Sequence, residues 1–215
     1  FAQRRTDLPE PPPPLQPGDT LRIDFGSEQV TSPDASGATW NNLMTSARQS
    51  GTLALTLNTI KGEPRSVRVV STDSFEGENL NGVLSSFPFP EAVSSDSWWT
   101  GSFDGHSAAL GRAGEIVLGN LPADQTYRLQ LLASRSGLDG GASRSTRFTL
   151  NGAEQTIEAA DNGGTLVSFN GVKPNARGEL ILRVDVDPDA DGRFAYLNAL
   201  ELSTTPPVFP GAVGF

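Results

Sequence analysis

The sequence predicts an all-β fold, an antiparallel jelly-roll β-sandwich with extended N- and C-terminal tails. Apolar and polar residues alternate through a series of short segments, which is typical of antiparallel strands that bury one face. These segments recur about every ten residues and are separated by turns rich in Gly, Pro and Asn. The 215-residue chain contains 23 Gly and 16 Pro, and no segment carries the apolar stripe of an amphipathic helix.

Three parts follow one another along the chain. Residues 1–19 include LPEPPPPLQPG, which predicts an extended polyproline II segment because proline lacks the amide donor that helices and sheets use. Residues 20–203 form the body of the predicted sandwich. Residues 204–215 form a second extension, which is apolar and contains proline.

Within the body, we predict strands at the segments with period-two alternation. In chain order these segments are TLRIDF, TLALTLN, SVRVVS, GEIVLG, TYRLQLLA, RSTRFTLNG, TLVSF, ELILRVDV and RFAYLNALELS. Asn151-Gly152 predicts a hairpin, because this dipeptide favours the positive φ angles of a two-residue turn. The polar stretches 26–38 and 72–97 are expected to be loops at the ends of the sandwich.

Several segments also form a pattern that resembles a known family. LRIDFGS, TWNNL, FPFPEAVSSDSWW, TYRLQLLASR, VKPNARGELILRV and FAYLNALEL follow in this order within residues 20–203. The pattern resembles the secreted galactose-binding-like jelly-roll modules of bacterial surface and polysaccharide-associated proteins. The resemblance implies a domain of a type that is usually non-catalytic and often binds carbohydrate. The two extensions are not part of the family pattern.

Composition and charge argue against several function classes. The formal net charge is -9 and the sequence pI is about 4.6, so we expect the surface to repel nucleic-acid phosphates and predict no nucleic-acid partner. No apolar run approaches the ~20 residues of a transmembrane helix, so no membrane insertion is expected. The absence of Cys excludes disulfides and thiol catalysis. The chain begins Phe-Ala-Gln without an initiator Met, so we expect an extracellular or cell-surface protein after signal-peptide removal.

An enzyme is not the predicted function. His106 is the only histidine, and no G-x-S-x-G nucleophile elbow accompanies it. A glycosidase needs two carboxylates that flank one bond, and none of the 25 acidic residues forms a distinctive pair in the sequence. We therefore predict no catalytic residue.

The segment DVDPDADGRF is a candidate metal site. Asp187, Asp189 and Asp191, followed by Gly192, match the D-x-D-x-D-G start of a calcium loop. The twelfth position from Asp187 is Asn198 instead of the bidentate Glu, and predicted strands flank the segment instead of helices. A structural Ca²⁺ and a solvated acidic hairpin turn both remain open, and no other cofactor is indicated.

A carbohydrate site would use the tryptophans. Aromatic rings stack on the flat C–H faces of sugars, and planar polar groups bind their hydroxyls. Adjacent strand residues face opposite sides, so one of the pair Trp98-Trp99 is expected in the core and the other at the surface. The alternative is that Trp40 and one of this pair simply fill the core. The candidate carbohydrate-binding residues are Trp40, Trp98, Trp99, Arg135 and Asn198.

The extensions indicate a second function, self-assembly. The segment TTPPVFPGAVGF can add to an open sheet edge or fill an apolar groove, on its own body or on another copy of the protein. A head-to-tail contact that does not close produces a filament. The candidate self-assembly residues are Leu8, Leu15, Val208, Phe209, Val213 and Phe215.

Two functions therefore remain open from the sequence. It favours a non-catalytic extracellular structural protein whose terminal extensions join copies head-to-tail into a surface fibre or layer. The alternative is a carbohydrate-binding module of a polysaccharide-associated system.

Overall fold

The computed structural model describes residues 10–43, 46–86, 88–101, 113–136, 143–190 and 192–205. Within them the chain forms short strands and one single-turn helix. In chain order these are β1 (Thr20–Asp24), β2 (Asn41–Asn42), β3 (Gly51–Ala54), β4 (Leu57–Asn58), β5 (Pro64–Arg65), β6 (Arg68–Asp73), β7 (Gly77–Asn79), α1 (Glu91–Ser95), β8 (Ser97–Gly101), β9 (Gly114–Gly119), β10 (Tyr127–Leu132), β11 (Ser145–Leu150), β12 (Ala153–Glu158), β13 (Val167–Val172), β14 (Leu180–Val186), β15 (Phe194–Leu197) and β16 (Ala199–Thr204).

Two large sheets form a sandwich. The first has five strands in the order β13-β10-β16-β1-β2, and the second has six strands in the order β12-β11-β14-β9-β6-β3. Neighbouring strands are antiparallel, except that β1 and β2 run in parallel. The predicted all-β sandwich is therefore confirmed. The hairpin predicted at Asn151-Gly152 joins β11 to β12, with φ angles of 47° and 90°.

The inward faces of both sheets form one hydrophobic core. Leu21 and Ile23 alternate with less buried residues in β1, and Leu182 and Val184 do so in β14. These residues from opposite sheets belong to one cluster of buried side chains. Full burial of each such side chain contributes about 1.5–3 kcal/mol, so the alternation seen in the sequence is the main determinant of the sandwich.

A smaller sheet of three strands, in the order β15-β8-β7, packs against this core. Trp98 of β8 is fully buried, and its ring centroid lies 5.2 Å from that of Phe25 and 5.4 Å from that of Phe75. Ala195 and Leu197 of β15 are also fully buried. One face of the small sheet is thereby fixed to the sandwich.

The chain passes from the small sheet to the first large sheet at Asn198. Leu197 pairs with Trp98 of β8, whereas Ala199 already pairs with Asp24 of β1. The sequence analysis expected one continuous strand over RFAYLNALELS, and the structure divides it into β15 and β16. The alternation of apolar residues does not reveal such a change of sheet.

Two further segments differ from the sequence expectation. TLALTLN, expected as one strand, is divided into β3 and β4. The pairing of β3 with β6 shifts register after Thr52, and the Leu55 side chain is left 66% exposed. The stretch 72–97, expected as a loop, contains β7 and α1. The five residues of α1 are too few to show a helical stripe. Within the described chain, no helix has the length and apolar character needed to cross a bilayer.

The described part of the N-terminal extension lies against the body of its own chain. The Ser66 N–H donates to the Pro13 carbonyl over 2.9 Å, and Gln125 Nε2 donates to the Leu15 carbonyl over 3.1 Å. The Leu15 side chain is 1% exposed and belongs to the main core. Leu15, a candidate self-assembly residue, is therefore not accessible to a neighbouring copy, because its own core already buries it.

Candidate functional site

A groove of about 570 Å³ lies along the small sheet. Strands β7, β8 and β15 and the segments around Asn81, Arg135 and Arg144 supply its walls. The lining residues are Glu78, Asn79, Leu80, Asn81, Trp99, Arg135, Arg144, Phe194 and Tyr196. The volume is within the range of about 300–1,000 Å³ that is usual for small-ligand sites. A second groove, lined by Arg48 and residues 73–76, has the same volume. The rings of Trp99, Phe194 and Tyr196 distinguish the groove along the small sheet, so it is the candidate functional site.

Two aromatic rings, those of Trp99 and Phe194, form one wall. Their centroids are 5.5 Å apart with an interplanar angle of 81°, which is an edge-to-face arrangement. Trp99 Nε1 donates to the Glu78 carbonyl over 3.1 Å, and both rings are half-buried. The indole is thus held in one orientation while part of its surface lines the groove.

Strand geometry explains why Trp99 lies in the groove. Trp98 and Trp99 are consecutive in β8, so their side chains point to opposite faces, and Trp98 occupies the core. Gly77 of β7 is the cross-strand partner of Trp99. A Cβ at position 77 would lie 3.0 Å from Trp99 Nε1 and Cζ2, so glycine allows the indole to lie close over β7.

Arg135 is fixed at the edge of the groove by backbone carbonyls. Its Nη1 donates to the Asn81 carbonyl over 2.9 Å and to the Ser136 carbonyl over 2.5 Å. The Ser136 N–H also donates to the Asn81 carbonyl, over 2.7 Å. Arg135, predicted from the sequence as a polar partner, is therefore positioned beside Trp99 in the same groove.

A second arginine, Arg144, lies over the aromatic wall. Its guanidinium carbon is 5.1 Å from the centroid of the Phe194 ring, a cation–π distance. Burial raises the pKa of Tyr196, while the positive charges of Arg144 and Arg135 act in the opposite direction. Arg135 and Arg144 come from two different segments of the chain, and both lower the pKa of the Tyr196 hydroxyl.

Three of the residues predicted to bind carbohydrate lie in the interior instead. Trp98 and Asn198 are 0% exposed, and Trp40 is 3% exposed in a second cluster, where it packs edge-to-face on Phe89. A buried side chain cannot contact a sugar, so these three are removed from the candidate site. Trp99 and Arg135 remain in it.

Several groove residues were not found by sequence reasoning. Asn79, Asn81, Arg144, Phe194 and Tyr196 come from segments that are far apart in the chain. Phe194 and Tyr196 are two residues apart in one strand, and this spacing places them on one face. Strand β15 pairs with β8, which puts Tyr196 opposite Trp99. This pairing joins distant segments, so the sequence pattern does not reveal it.

The candidate calcium segment has the structure of a turn between β14 and β15. Asp187 Oδ2 accepts a hydrogen bond from Ser145 Oγ over 2.7 Å, and Oδ1 accepts one from the Asp189 N–H over 3.1 Å. Asp191 lies outside the described residues. Within the described part of the chain, no three acidic or His side chains form a cluster that could hold a metal ion. Calcium binding by this segment therefore stays a prediction.

Other predicted residues also lie outside the described part. These are the self-assembly candidates Leu8, Val208, Phe209, Val213 and Phe215, together with His106. Their proposed contacts stay predictions from the sequence.

Two carboxyl groups that do not line the groove, those of Asp24 and Asp96, are buried. Asp24 is 1% exposed and Asp96 is 0% exposed. Burial and the nearby charge of Asp96 raise the pKa of Asp24 to about 8, and burial raises the pKa of Asp96 to about 7. Perturbed carboxyl groups often mark active sites, but these two are not accessible to a substrate.

Comparison with known proteins gives likeness of fold. No family model matches the chain, and no curated protein matches it. Among solved structures, a plant receptor-like kinase FER has a TM-score of 0.53 and 14% identity over 88% of this chain and 50% of that one. The ANXUR2 extracellular domain from Arabidopsis thaliana has a TM-score of 0.53 and 13% identity over 88% of this chain and 49% of that one.

The chain thus spans about half the length of these two receptor structures. At these identities the likeness shows the fold alone. A carbohydrate-binding module, CBM36 in complex with calcium and xylotriose, is also similar, with a TM-score of 0.32 and 13% identity over 63% of this chain and 98% of that one. That likeness is too remote to carry an argument about function.

Proposed function

We propose that this protein is a non-catalytic, extracellular carbohydrate-binding module whose ligand lies in the groove along the small sheet. The observation that supports this function is the aromatic wall of Trp99 and Phe194, held 5.5 Å apart beside the groove's polar side chains. Aromatic surface binds the C–H face of a sugar ring, and planar amide and guanidinium groups bind its hydroxyls. Asn79, Asn81 and Arg135 supply such groups at the groove.

The charges in the groove support a binding role without catalysis. Among its described lining residues, Glu78 is the single carboxylate. Hydrolysis of a glycosidic bond by the usual mechanism needs two carboxyl groups that flank the bond. Asp24 and Asp96 cannot supply them, because both are buried and neither lines the groove.

Replacing Trp99 with alanine is expected to weaken polysaccharide binding about tenfold or more, because stacking surface is lost from the wall. Affinity electrophoresis against a panel of soluble polysaccharides, followed by calorimetry on the best ligand, measures this loss. Trp99→Phe keeps an aromatic ring and should retain part of the affinity. Leu55→Ala, at a residue that is 66% exposed and outside the groove, is the matched control. Unchanged binding by Trp99→Ala would place the ligand elsewhere.

Self-assembly is the second candidate function. It is favoured by the apolar residues Val208, Phe209, Val213 and Phe215 of the C-terminal extension, and by edge strands that could receive them. Strand β12 is an edge strand of the six-stranded sheet, and most of its residues are exposed. An edge strand presents backbone groups that an extended segment of another copy can pair with.

Deletion of residues 206–215 tests self-assembly. Truncation after Thr205 is preferable to an earlier cut, because Thr204 Oγ1 accepts from the Gly18 N–H over 2.6 Å and belongs to β16. We expect larger species of the full-length chain in size-exclusion chromatography with light scattering, and a monomer after truncation. A double change of Phe209 and Phe215 to serine should act like the truncation. Identical elution of all three forms would eliminate assembly through this tail.

A further inference from the structure

The two arginines in the groove differ from the part-buried arginines elsewhere in the body. Each of those faces a carboxylate: Arg22 with Glu201, Arg65 with Asp19, Arg68 with Glu179, and Arg147 and Arg183 with Asp185. Arg135 and Arg144 are also part-buried, but within the described residues neither forms an ion pair with an acidic side chain. Each donates through Nη1 to backbone carbonyls, and each also forms a hydrogen bond with the side chain of Tyr196, so their partners are neutral groups.

The acidity of the whole protein makes this contrast informative. The chain carries 25 Asp and Glu residues against 16 Lys and Arg, so an unpaired, part-buried cation is not explained by a shortage of carboxylates. Among its described lining residues, the groove nevertheless brings two guanidiniums together with one carboxylate, that of Glu78. Glu78 Oε1 accepts from the Ala47 N–H over 3.1 Å. The described lining residues thus carry more positive than negative charge, on a protein whose formal net charge is -9.

We propose that this groove selects sugars that carry a carboxylate, that is, uronic-acid residues of an acidic polysaccharide; the inference rests on the function proposed above. A guanidinium presents its N–H groups as a planar fork that matches the two oxygens of a carboxylate. Arg144 is stacked on Phe194, and Arg135 is fixed by carbonyls. Both forks are thus oriented before the ligand binds.

The aromatic and charged parts of the site have separate roles in this arrangement. The wall of Trp99 and Phe194 contacts the ring of the sugar, whether that sugar is neutral or acidic. Arg144 lies directly over the ring of Phe194. Arg144 and Arg135 both contribute positive electrostatic potential at Tyr196. Among the described residues, these two guanidiniums have no negatively charged partner. When the ring of a uronic acid contacts the wall, its carboxylate supplies that partner.

The test compares each acidic polymer with its own carboxyl-reduced form. Polygalacturonate, alginate and glucuronoxylan are each measured by calorimetry before and after reduction of the carboxyl groups to hydroxymethyl groups. We expect at least one native polymer to bind the wild-type protein roughly tenfold or more tightly than its reduced form, as charge-assisted hydrogen bonds predict. The preference should fall as salt rises from 50 mM to 500 mM NaCl, because screening weakens exposed charge pairs.

Arginine variants identify the groups responsible. Arg144→Gln should remove most of the preference for the native polymer and leave affinity for the reduced polymer within about twofold. Arg135→Gln should also lower the preference, and it should weaken binding of the reduced polymer as well, because the proposed function assigns Arg135 a contact with sugar hydroxyls. Arg144→Lys keeps the charge without the fork and should be intermediate. Arg177→Gln, at an exposed arginine outside the groove, is the control. Melting temperatures of all variants show which of them keep the fold, and only folded variants are compared.

The outcomes separate this inference from the proposed function. Equal binding of native and reduced polymers, with both lost in Trp99→Ala, overturns acidic selectivity and retains the carbohydrate site. Binding of dextran sulfate, which carries sulfate groups and no uronic acid, without binding of any polyuronate overturns the assignment to carboxylates. Failure of all native and reduced polymers to bind overturns the inference and the proposed function together.

Discussion

Replacing Asn198 with alanine is expected to lower the free energy of unfolding by about 3 kcal/mol or more. The Asn198 side chain is 0% exposed and joins three separate segments. Oδ1 accepts from the Ser134 N–H over 2.7 Å, and Nδ2 donates to the carbonyls of Ser94 and Asp96 over 3.2 and 2.5 Å. Alanine would leave one donor and two acceptors of the backbone buried without partners, and each unsatisfied group costs about 1–3 kcal/mol.

Urea unfolding followed by intrinsic fluorescence measures this effect. Asn170→Ala, at an exposed asparagine of β13, should change the unfolding free energy by less than about 0.5 kcal/mol. Asn198→Asp keeps an acceptor but replaces the amide donor with a carboxyl group that faces two carbonyls, so it should also destabilise strongly. If Asn198→Ala is as stable as Asn170→Ala, the three hydrogen bonds do not hold the junction between β15 and β16.

Asn198 also shows where sequence reasoning about the fold stopped. The pattern of RFAYLNALELS predicted strand residues, and residues 194–197 and 199–204 are indeed strands. Alternation reports which faces are buried, but it does not report which sheet a strand joins. The sequence analysis predicts Asn198 as a polar contact of a carbohydrate, whereas the structure buries its side chain completely. Its partners Ser94, Asp96 and Ser134 are distant in sequence, and only the folded chain identifies them.

The candidate site was predictable in part for the same physical reason. Trp98-Trp99 had to place one ring outside the core, because adjacent strand residues face opposite sides. Which ring lies outside depends on the register of β8 with β15 and β7, where Trp99 is opposite Tyr196 and Gly77. Arg144 reaches the wall from the segment before β11, and no local pattern places it over Phe194. Local chemistry therefore suggested the residue types, and strand pairing decided their positions.

The protein is expected to become less stable as pH rises from 5 to 8.5, because two buried carboxyl groups must lose their protons in the folded state. In the folded state the pKa of Asp24 is raised to about 8, first by burial and then by the charge of Asp96. Burial raises the pKa of Asp96 to about 7, against the hydrogen bond that its Oδ2 accepts from the Glu28 N–H. The ordinary value for both groups in an unfolded chain is 3.8.

The sign follows from proton uptake. Between pH 4 and pH 8 the folded protein binds protons at Asp24 and Asp96 that the unfolded chain has already released. Raising the pH therefore favours the unfolded state, by up to about 1.4 kcal/mol per pH unit for each proton involved. The contribution is complete near pH 4 and is lost as the pH passes the folded values of about 7 and 8.

Thermal unfolding in buffers from pH 5 to pH 8.5 measures this loss, with EDTA present so that no divalent cation neutralises the pair. We expect the melting temperature of the wild-type protein to fall across this range. Asp24→Asn keeps the shape and removes one buried charge, so it should flatten the curve and exceed the wild type in stability at pH 8.5. Asp73→Asn, at an exposed carboxylate, should follow the wild-type curve. A wild-type melting temperature that stays constant or rises up to pH 8.5 would mean that Asp24 and Asp96 are ionised without penalty, and that polar groups or water reach the carboxyl oxygens of Asp24, which have no hydrogen-bond partner among the described residues.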